Sequence, residues 1–164
     1  MIQLITEKHI EEYIQLRQEA LLDSPLAFAS SPQDDFISIS ENLQAYLRQG
    51  PESVIFGAFT DVLVGSAGLY RDRHLKAAHK AHLWGMYICP AQRGQGLGRQ
   101  LLQAAIDHAR TLPGVRYIHL SVSAQAIAAR QLYDSMGFTI WGTEPDALLY
   151  DKRSVSEHHM VLPL

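Results

Sequence analysis

Hydrophobic positions change their period several times along this chain, and each change marks an element. Ile2, Leu4 and Ile5 form a short apolar run that predicts a first strand. Thr6 can cap a first helix, in which Ile10, Tyr13, Ile14, Arg17 and Leu21 recur at helical spacing on a mostly apolar face. Pro25 stops that helix, and the Ser- and Pro-rich stretch from Leu26 to Asp35 reads as a loop. Ser38 and Glu41 have the spacing of a capping box, so a second helix is expected with Leu43, Tyr46 and Leu47 inward and Gly50-Pro51 at its end.

Val54 to Thr60 and Leu63 to Tyr70 are two β-rich runs about the turn at Asp61, the pattern of an antiparallel hairpin. A polar, basic loop from Arg71 to Lys80 leads to a third run, Ala81 to Ile88, which Pro90 terminates. A glycine-rich turn precedes a strongly amphipathic helix whose stripe is Leu97, Leu101, Leu102, Ala105, Ile106 and Ala109. Pro113 and Gly114 close it. Tyr117 to Val122 predicts a strand, Ala124 to Met136 a helix with Gly137 at its C-cap, and Phe138 to Trp141 and His159 to Leu162 the last two strands. The order is that of one mixed α/β domain over residues 1–164, with an antiparallel front half and a βαβ unit in the middle.

The 164 residues suit one domain, and 47% hydrophobic residues suffice for a sizeable core. A net charge of −3 lacks the basic footprint of nucleic-acid binding. The single cysteine, Cys89, rules out an intramolecular disulfide. No apolar run approaches the ~20 residues of a membrane span. The N-terminus runs into Glu7, Glu11 and Glu12 with no basic segment, unlike a signal peptide. A cytoplasmic protein without membrane contact is the expectation.

The strongest chemical signal is the turn Ile88-Cys-Pro-Ala-Gln-Arg-Gly-Gln-Gly-Leu-Gly98. It joins a strand to a helix N-terminus, where free N–H groups and the helix dipole favour an anion. Gly94, Gly96 and Gly98 permit close backbone approach, and Arg93 and Arg99 are donors suited to phosphate. A Walker loop would need Gly-Lys-Ser/Thr, which is missing. The dinucleotide fingerprint G-x-G-x-x-G fails as well, because Arg99 stands where its last glycine belongs.

Arg93-Gly94-Gln95-Gly96-Leu97-Gly98 resembles motif A of the GNAT acetyltransferase superfamily, Gln/Arg-x-x-Gly-x-Gly/Ala, with Pro90 and the Leu101-Leu102 pair in register. Residues 126–138 resemble motif B, Asn-x-x-Ala-x-x-Leu-Tyr-x-x-x-Gly-Phe. Ala129, Leu132, Tyr133, Gly137 and Phe138 match, and Ala126 departs at the asparagine, where Gln125 or Ser123 are the nearby substitutes. The two motifs at this separation cover about the central third of the chain, and the element order extends the likeness over nearly all of it.

The resemblance implies the GNAT fold: a central, mostly antiparallel sheet with one splayed parallel pair and flanking helices. It implies acetyl-CoA as cosubstrate, held by Arg93 to Arg99, and an amine-bearing acceptor. By the same resemblance, main-chain groups of Met86, Tyr87 and Ile88 bind the pantetheine arm and face the developing oxyanion. Tyr133 then assists the departing thiolate, and His82 lies at a position many members use for the base that deprotonates the amine. Trp84 shares the His82 face by strand alternation. The family also leaves room for a homodimer.

Other readings stay open from sequence alone. Ala126, and the lack of a Glu on the strand, are compatible with a non-catalytic acyl-CoA sensor, and the glycine turn alone would also suit a nucleotide-dependent enzyme. His158-His159 points to opposite strand faces and is no metal pair, so no metal is expected. Cys89 reads as a small packed thiol. Asp34, Asp35, Glu144 and Asp146 read as loop carboxylates. The acceptor contacts are expected from Leu26 to Asp35, Arg71 to Lys80 and Thr143 to His159, none of which carries a decisive motif.

Overall fold

The computed structural model describes residues 1–164. Its elements are β1 (Ile2–Leu4), α1 (Ile10–Asp23), α2 (Ser40–Leu47), β2 (Ser53–Phe59), β3 (Leu63–Arg71), β4 (Lys80–Ile88), α3 (Leu97–Thr111), β5 (Tyr117–Ser123), α4 (Ile127–Ser135), β6 (Thr139–Tyr150) and β7 (Arg153–Pro163). The strands form one seven-stranded sheet in the order β1-β2-β3-β4-β5-β7-β6. Every neighbouring pair is antiparallel except β4 and β5.

Two apolar layers sandwich the sheet. On one face, Leu101, Leu102, Ala105, Ile106 and Ala109 of α3 pack with Val54, Phe56, Leu69, Ala81, Leu83, Ile118 and Met160. On the other, Tyr13, Leu16 and Ala20 of α1 and Leu43 of α2 pack with Ile55, Leu63 and Tyr87. Alternation within β2 sends Val54 and Phe56 to one layer and Ile55 to the other. A strand buried on both faces must be apolar throughout, which is why β2 and β3 read as continuous hydrophobic runs.

The element order is as expected, and three details differ from the sequence reading. The Ser38–Glu41 capping box does not form. Phe36–Ser38 is a 3-10 turn, α2 begins at Ser40, and the Ser38 hydroxyl donates to Asp35 Oδ2 at 2.6 Å. A buried carboxylate outcompetes a helix end for that hydroxyl. The fourth helix is shorter than expected, because Ala124 to Ala126 form a turn before Ile127. The last two strands are much longer than expected and build a hairpin that reaches Tyr150 and Arg153, so Glu144 and Asp146 lie in β6 rather than in a loop. Their sparse apolar pattern reflects exposure: β6 is the edge of the sheet and the tip of the hairpin pairs only within itself, so burial does not enforce alternation there.

Asp35 is likewise no solvated loop carboxylate. Arg17 of α1 reaches it with two parallel bonds, Nε to Oδ2 at 3.1 Å and Nη2 to Oδ1 at 2.8 Å. The side chains are 8% and 2% exposed, so the pair is effectively dry. The pair ties the 24–39 connection to α1. Burial would raise the Asp35 carboxyl, and the hydrogen bonds from Arg17 and Ser38 outweigh it, holding the group below its usual 3.8.

Removing one partner of such a pair leaves an uncompensated buried charge. Asp35→Ala is therefore expected to lose about 3–5 kcal/mol of unfolding free energy in urea titrations. The sign of the pH effect follows from the depressed carboxyl. Its contribution is complete above pH 3.8 and is lost as pH falls through the lower folded value. The difference between wild type and variant should accordingly shrink in acid; a difference that is flat with pH would refute the assignment.

Candidate active site

The parallel pair decides where a ligand can enter. β4 and β5 are paired only through Lys80 with Tyr117, Ala81 with Ile118 and His82 with His119. Beyond His82 the strands diverge, although β4 runs on to Ile88 and β5 to Ser123. The register of β4 against β3 also slips there. Trp84 faces Gly68 and Tyr87 faces Ser66, so Gly85 and Met86 together oppose Ala67. This β-bulge needs Gly85, whose φ is +61°, and it bends the strand away from β5.

The bulge also changes which side chains share a face. Trp84 packs on the α1/α2 layer, whereas Met86 and Ile88 pack on the α3/α4 layer, to which Leu83 also belongs. Strand counting through the whole element thus fails at Gly85. A glycine in mid-strand is the signal for it.

Three cavities meet along the divergence. The first, about 740 Å³, lies between the end of β4, the glycine-rich turn and the start of α4. It is lined by Met86, Tyr87, Ile88, Arg93, Gly94, Gly96, Leu97, Gly98 and Arg99, which gathers nearly the whole set expected from motif A. Gln95 is the exception; its side chain turns outward to the Ala91 carbonyl at 3.5 Å. Gln125 and Ala126 line the same cavity, whereas the Ser123 hydroxyl accepts a bond from the Gln125 N–H at 3.3 Å. Of the two substitutes for the missing asparagine, only Gln125 faces this space.

The turn's main chain is arranged for an anion. No backbone N–H from Gly94 through Arg99 bonds to another backbone group, and the first helical bond of α3 runs from Gln100 to the Gly96 carbonyl. Gly96 is the N-cap at φ +79° and offers no side-chain cap. Unpaired N–H groups at a helix start, plus the helix dipole, make a phosphate cradle. The glycines differ in purpose. Gly94 and Gly96 have φ near +78° and face open space, while a Cβ on Gly98 would come within 3.2 Å of Leu132 and 3.6 Å of Met86. Gly98 thus serves the packing of α3 against α4 and β4.

The arginine side chains already have partners within the chain. Arg93 donates to Asp23 at 2.6 Å and to the Ile88 carbonyl at 3.0 Å, and Arg99 donates to Ser135 at 2.7 Å. Arg93 thereby ties the turn to the end of α1. The cradle rests on main-chain donors, with these cations at its rim.

A narrow space of about 90 Å³ adjoins the first cavity, walled by Gly85, Met86, Val122, Ser123, Ala126 and Tyr133. Tyr133 is 5% exposed, and burial alone pushes its phenol well above the ordinary value, so it is a protonated donor at neutral pH. Burial, then Glu19, push the Cys89 thiol up to about 11, so it is protonated at neutral pH.

Beyond the neck lies the third cavity, about 670 Å³, lined by Arg17, Phe28, Tyr70, His82, Trp84, His119, Trp141, Glu157 and His159 among others. His82 stacks on Tyr70 with centroids 4.8 Å apart, and its Nε2 is 3.4 Å from Asp72 Oδ2. Burial lowers the imidazole below its usual 6.5 against the pull of Asp72, so the neutral base form prevails at pH 7. Glu157, paired in register with Ser123 at the open end of β5, has its carboxyl raised by burial. Arg17 and Glu157 do not stand out in the sequence: one looks like part of an apolar helix face, the other like a polar position near a histidine pair. His158 and His159 do separate, to Thr143 and to Ser121 and Glu144 respectively.

The model of the acetyltransferase (GNAT) family matches residues 13–138. A mycothiol acetyltransferase of Nocardiopsis dassonvillei is 42% identical over 57 residues, 35% of this chain and 17% of that protein. An L-methionine sulfoximine/L-methionine sulfone acetyltransferase of Salmonella typhimurium is 38% identical over 60 residues, 37% of this chain and 34% of that protein. The chain thus spans about a third or less of the length of these curated relatives. A Salmonella typhimurium protein solved with its cofactor acetyl-CoA superposes with a TM-score of 0.86 at 23% identity, covering 100% of this chain and 93% of that one.

If the main-chain cradle holds the ligand, a side chain at Gly96 should weaken it. A non-glycine residue at positive φ costs roughly 1–2 kcal/mol, which the free turn relieves only by leaving the binding conformation, so Gly96→Val is expected to lower acetyl-CoA affinity about tenfold by calorimetry. Unchanged affinity in a folded variant would remove the turn from the site.

Proposed function

The chain belongs to the GNAT acetyltransferase family, and from that premise we propose that it is an acetyl-CoA-dependent N-acetyltransferase acting by direct transfer to a primary amine. The observation that carries this reading is that three adjacent spaces share their walls. A main-chain phosphate cradle opens one end, a neck with a protonated phenol lies in the middle, and a cavity with a neutral imidazole occupies the other end. A non-catalytic acyl-CoA sensor would need the first space and has no use for the third.

In this scheme the N–H groups of Gly94 to Arg99 bind the pyrophosphate of acetyl-CoA. Main-chain groups at the bulged end of β4, Met86 to Ile88, orient the thioester and stabilise charge on its carbonyl oxygen. The amine enters from the far cavity, loses a proton and attacks. Tyr133 donates a hydrogen bond or proton to the sulfur that leaves.

His82 is the base. With its Nε2–H donated to Asp72, its Nδ1 carries the free lone pair. Met86 is four residues further along the strand, roughly 13 Å at ~3.3 Å per residue, so His82 takes the proton through a relay of several waters. Glu157 supports a second reading, because it lines the same cavity and stands in register with Ser123, which walls the neck.

Tyr133→Phe is expected to lower kcat on the order of 100-fold while leaving acetyl-CoA stabilisation in thermal melts nearly unchanged. The pH profile tests the base. Because burial depresses His82, the acid limb of kcat/KM should lie below 6.5 and should vanish in His82→Gln. A limb that survives in His82→Gln and disappears in Glu157→Gln would transfer the role to Glu157. No stabilisation by either acetyl-CoA or CoA, with stabilisation by ATP or NADH, would overturn the acetyltransferase reading itself.

A further inference from the structure

Only one buried side-chain polar atom in the molecule lacks a hydrogen-bond partner, and it belongs to Arg17. Asp35 occupies Nε and Nη2, so Nη1 remains with both of its N–H groups free. A dry guanidinium left one nitrogen short costs free energy unless something fills the position. Arg17 is 7% exposed, lies in the wall of the 670 Å³ cavity, and is held between two rings, 4.9 Å from the Phe28 centroid and 5.9 Å from that of Trp84. A Cβ on Gly85 would lie 3.7 Å from Nη1, which puts the unpartnered nitrogen beside the residue immediately before Met86.

From this geometry, and resting on the acetyltransferase reading above, we infer that the acceptor is a small amino acid whose carboxylate is received by Arg17 Nη1. Three observations converge on it. The free donor is a cation, and a carboxylate oxygen is its strongest partner. Arg17 is already paired with Asp35, which leaves Lys80 as the unpaired cation of the cavity wall against one carboxylate, Glu157, whose ionisation burial already opposes. The third is spacing. The amine must reach the thioester beside Met86, and Nη1 faces Gly85, one residue away. Amine and carboxylate must therefore be separated by only a few bonds. A lysine side chain on a protein surface carries no carboxylate at that distance. Phe28, Tyr70, Trp84 and Trp141 supply the apolar wall for the amino acid's side chain.

The test changes the ligand first, so that it does not depend on a variant that must fold. Acetyl-CoA consumption by the wild-type chain is measured with the common L-amino acids and with their α-carboxamides, which keep the amine and lose the negative charge. The expected result is a drop of at least tenfold in kcat/KM from the preferred acid to its amide. In Arg17→Lys, checked for folding and for acetyl-CoA stabilisation by thermal melts, KM for the acid should rise at least tenfold with a smaller change in kcat, and the amide should be indifferent. Equal turnover of acids and amides, or turnover confined to amines without a carboxylate, overturns the inference and leaves the acetyltransferase reading intact. No turnover of either series with acetyl-CoA still bound overturns the inference, and loss of acetyl-CoA binding overturns the wider reading.

Discussion

Two neighbouring parallel strands cannot diverge within a sheet without leaving main-chain groups unpaired. β4 and β5 separate after His82 and His119, and the candidate site is built around that separation. It leaves three adjacent cavities with shared walls between the α3/α4 layer and the α1/α2 layer. It frees main-chain groups at the end of β4 for a ligand. It also places the start of α3, with its unpaired N–H groups, at one mouth. Buried unpaired groups are unfavourable in a folded chain unless a ligand or water satisfies them, so the geometry that weakens the sheet leaves donors and acceptors that call for a partner.

The separation is held open by opposing restraints. On one side Gly85 and Met86 form the bulge, and Gly98 lets α3 and α4 approach closely beneath it. On the other, the Arg17–Asp35 pair fixes the 24–39 connection over the far cavity, with Ser38 as a third member. Phe28 on that connection lines all three spaces. A dry ion pair contributes little net stability compared with apolar packing. What it supplies here is position: it holds one guanidinium nitrogen, without a hydrogen-bond partner, within a side chain that lines the far cavity.

The site is partly legible in the sequence, and the division has a physical basis. The turn from Arg93 to Gly98 can be read because its requirements are local. A helix start, positive φ at Gly94 and Gly96, and close packing at Gly98 all demand glycine at fixed spacing. Tyr133 can be placed because motif B is a single helix. The engagement of Arg93 and Arg99 cannot be read, because their partners, Asp23 and Ser135, are distant in sequence. Arg17 and Glu157 are illegible for the same reason: nothing adjacent to either residue reveals what it faces.

Hydrophobic period and backbone conformation are properties of short segments, so the order of elements, the apolar helix faces and the glycine turn are already written in the chain's residues. Folding alone settles where β4 leaves β5, which side chains change face at the Gly85 bulge, and how long the last hairpin runs. It also settles the partner of every buried polar group. Ser38 binds Asp35 instead of capping its own helix, and Arg17 keeps one free nitrogen, because both outcomes depend on segments that meet only in the folded chain.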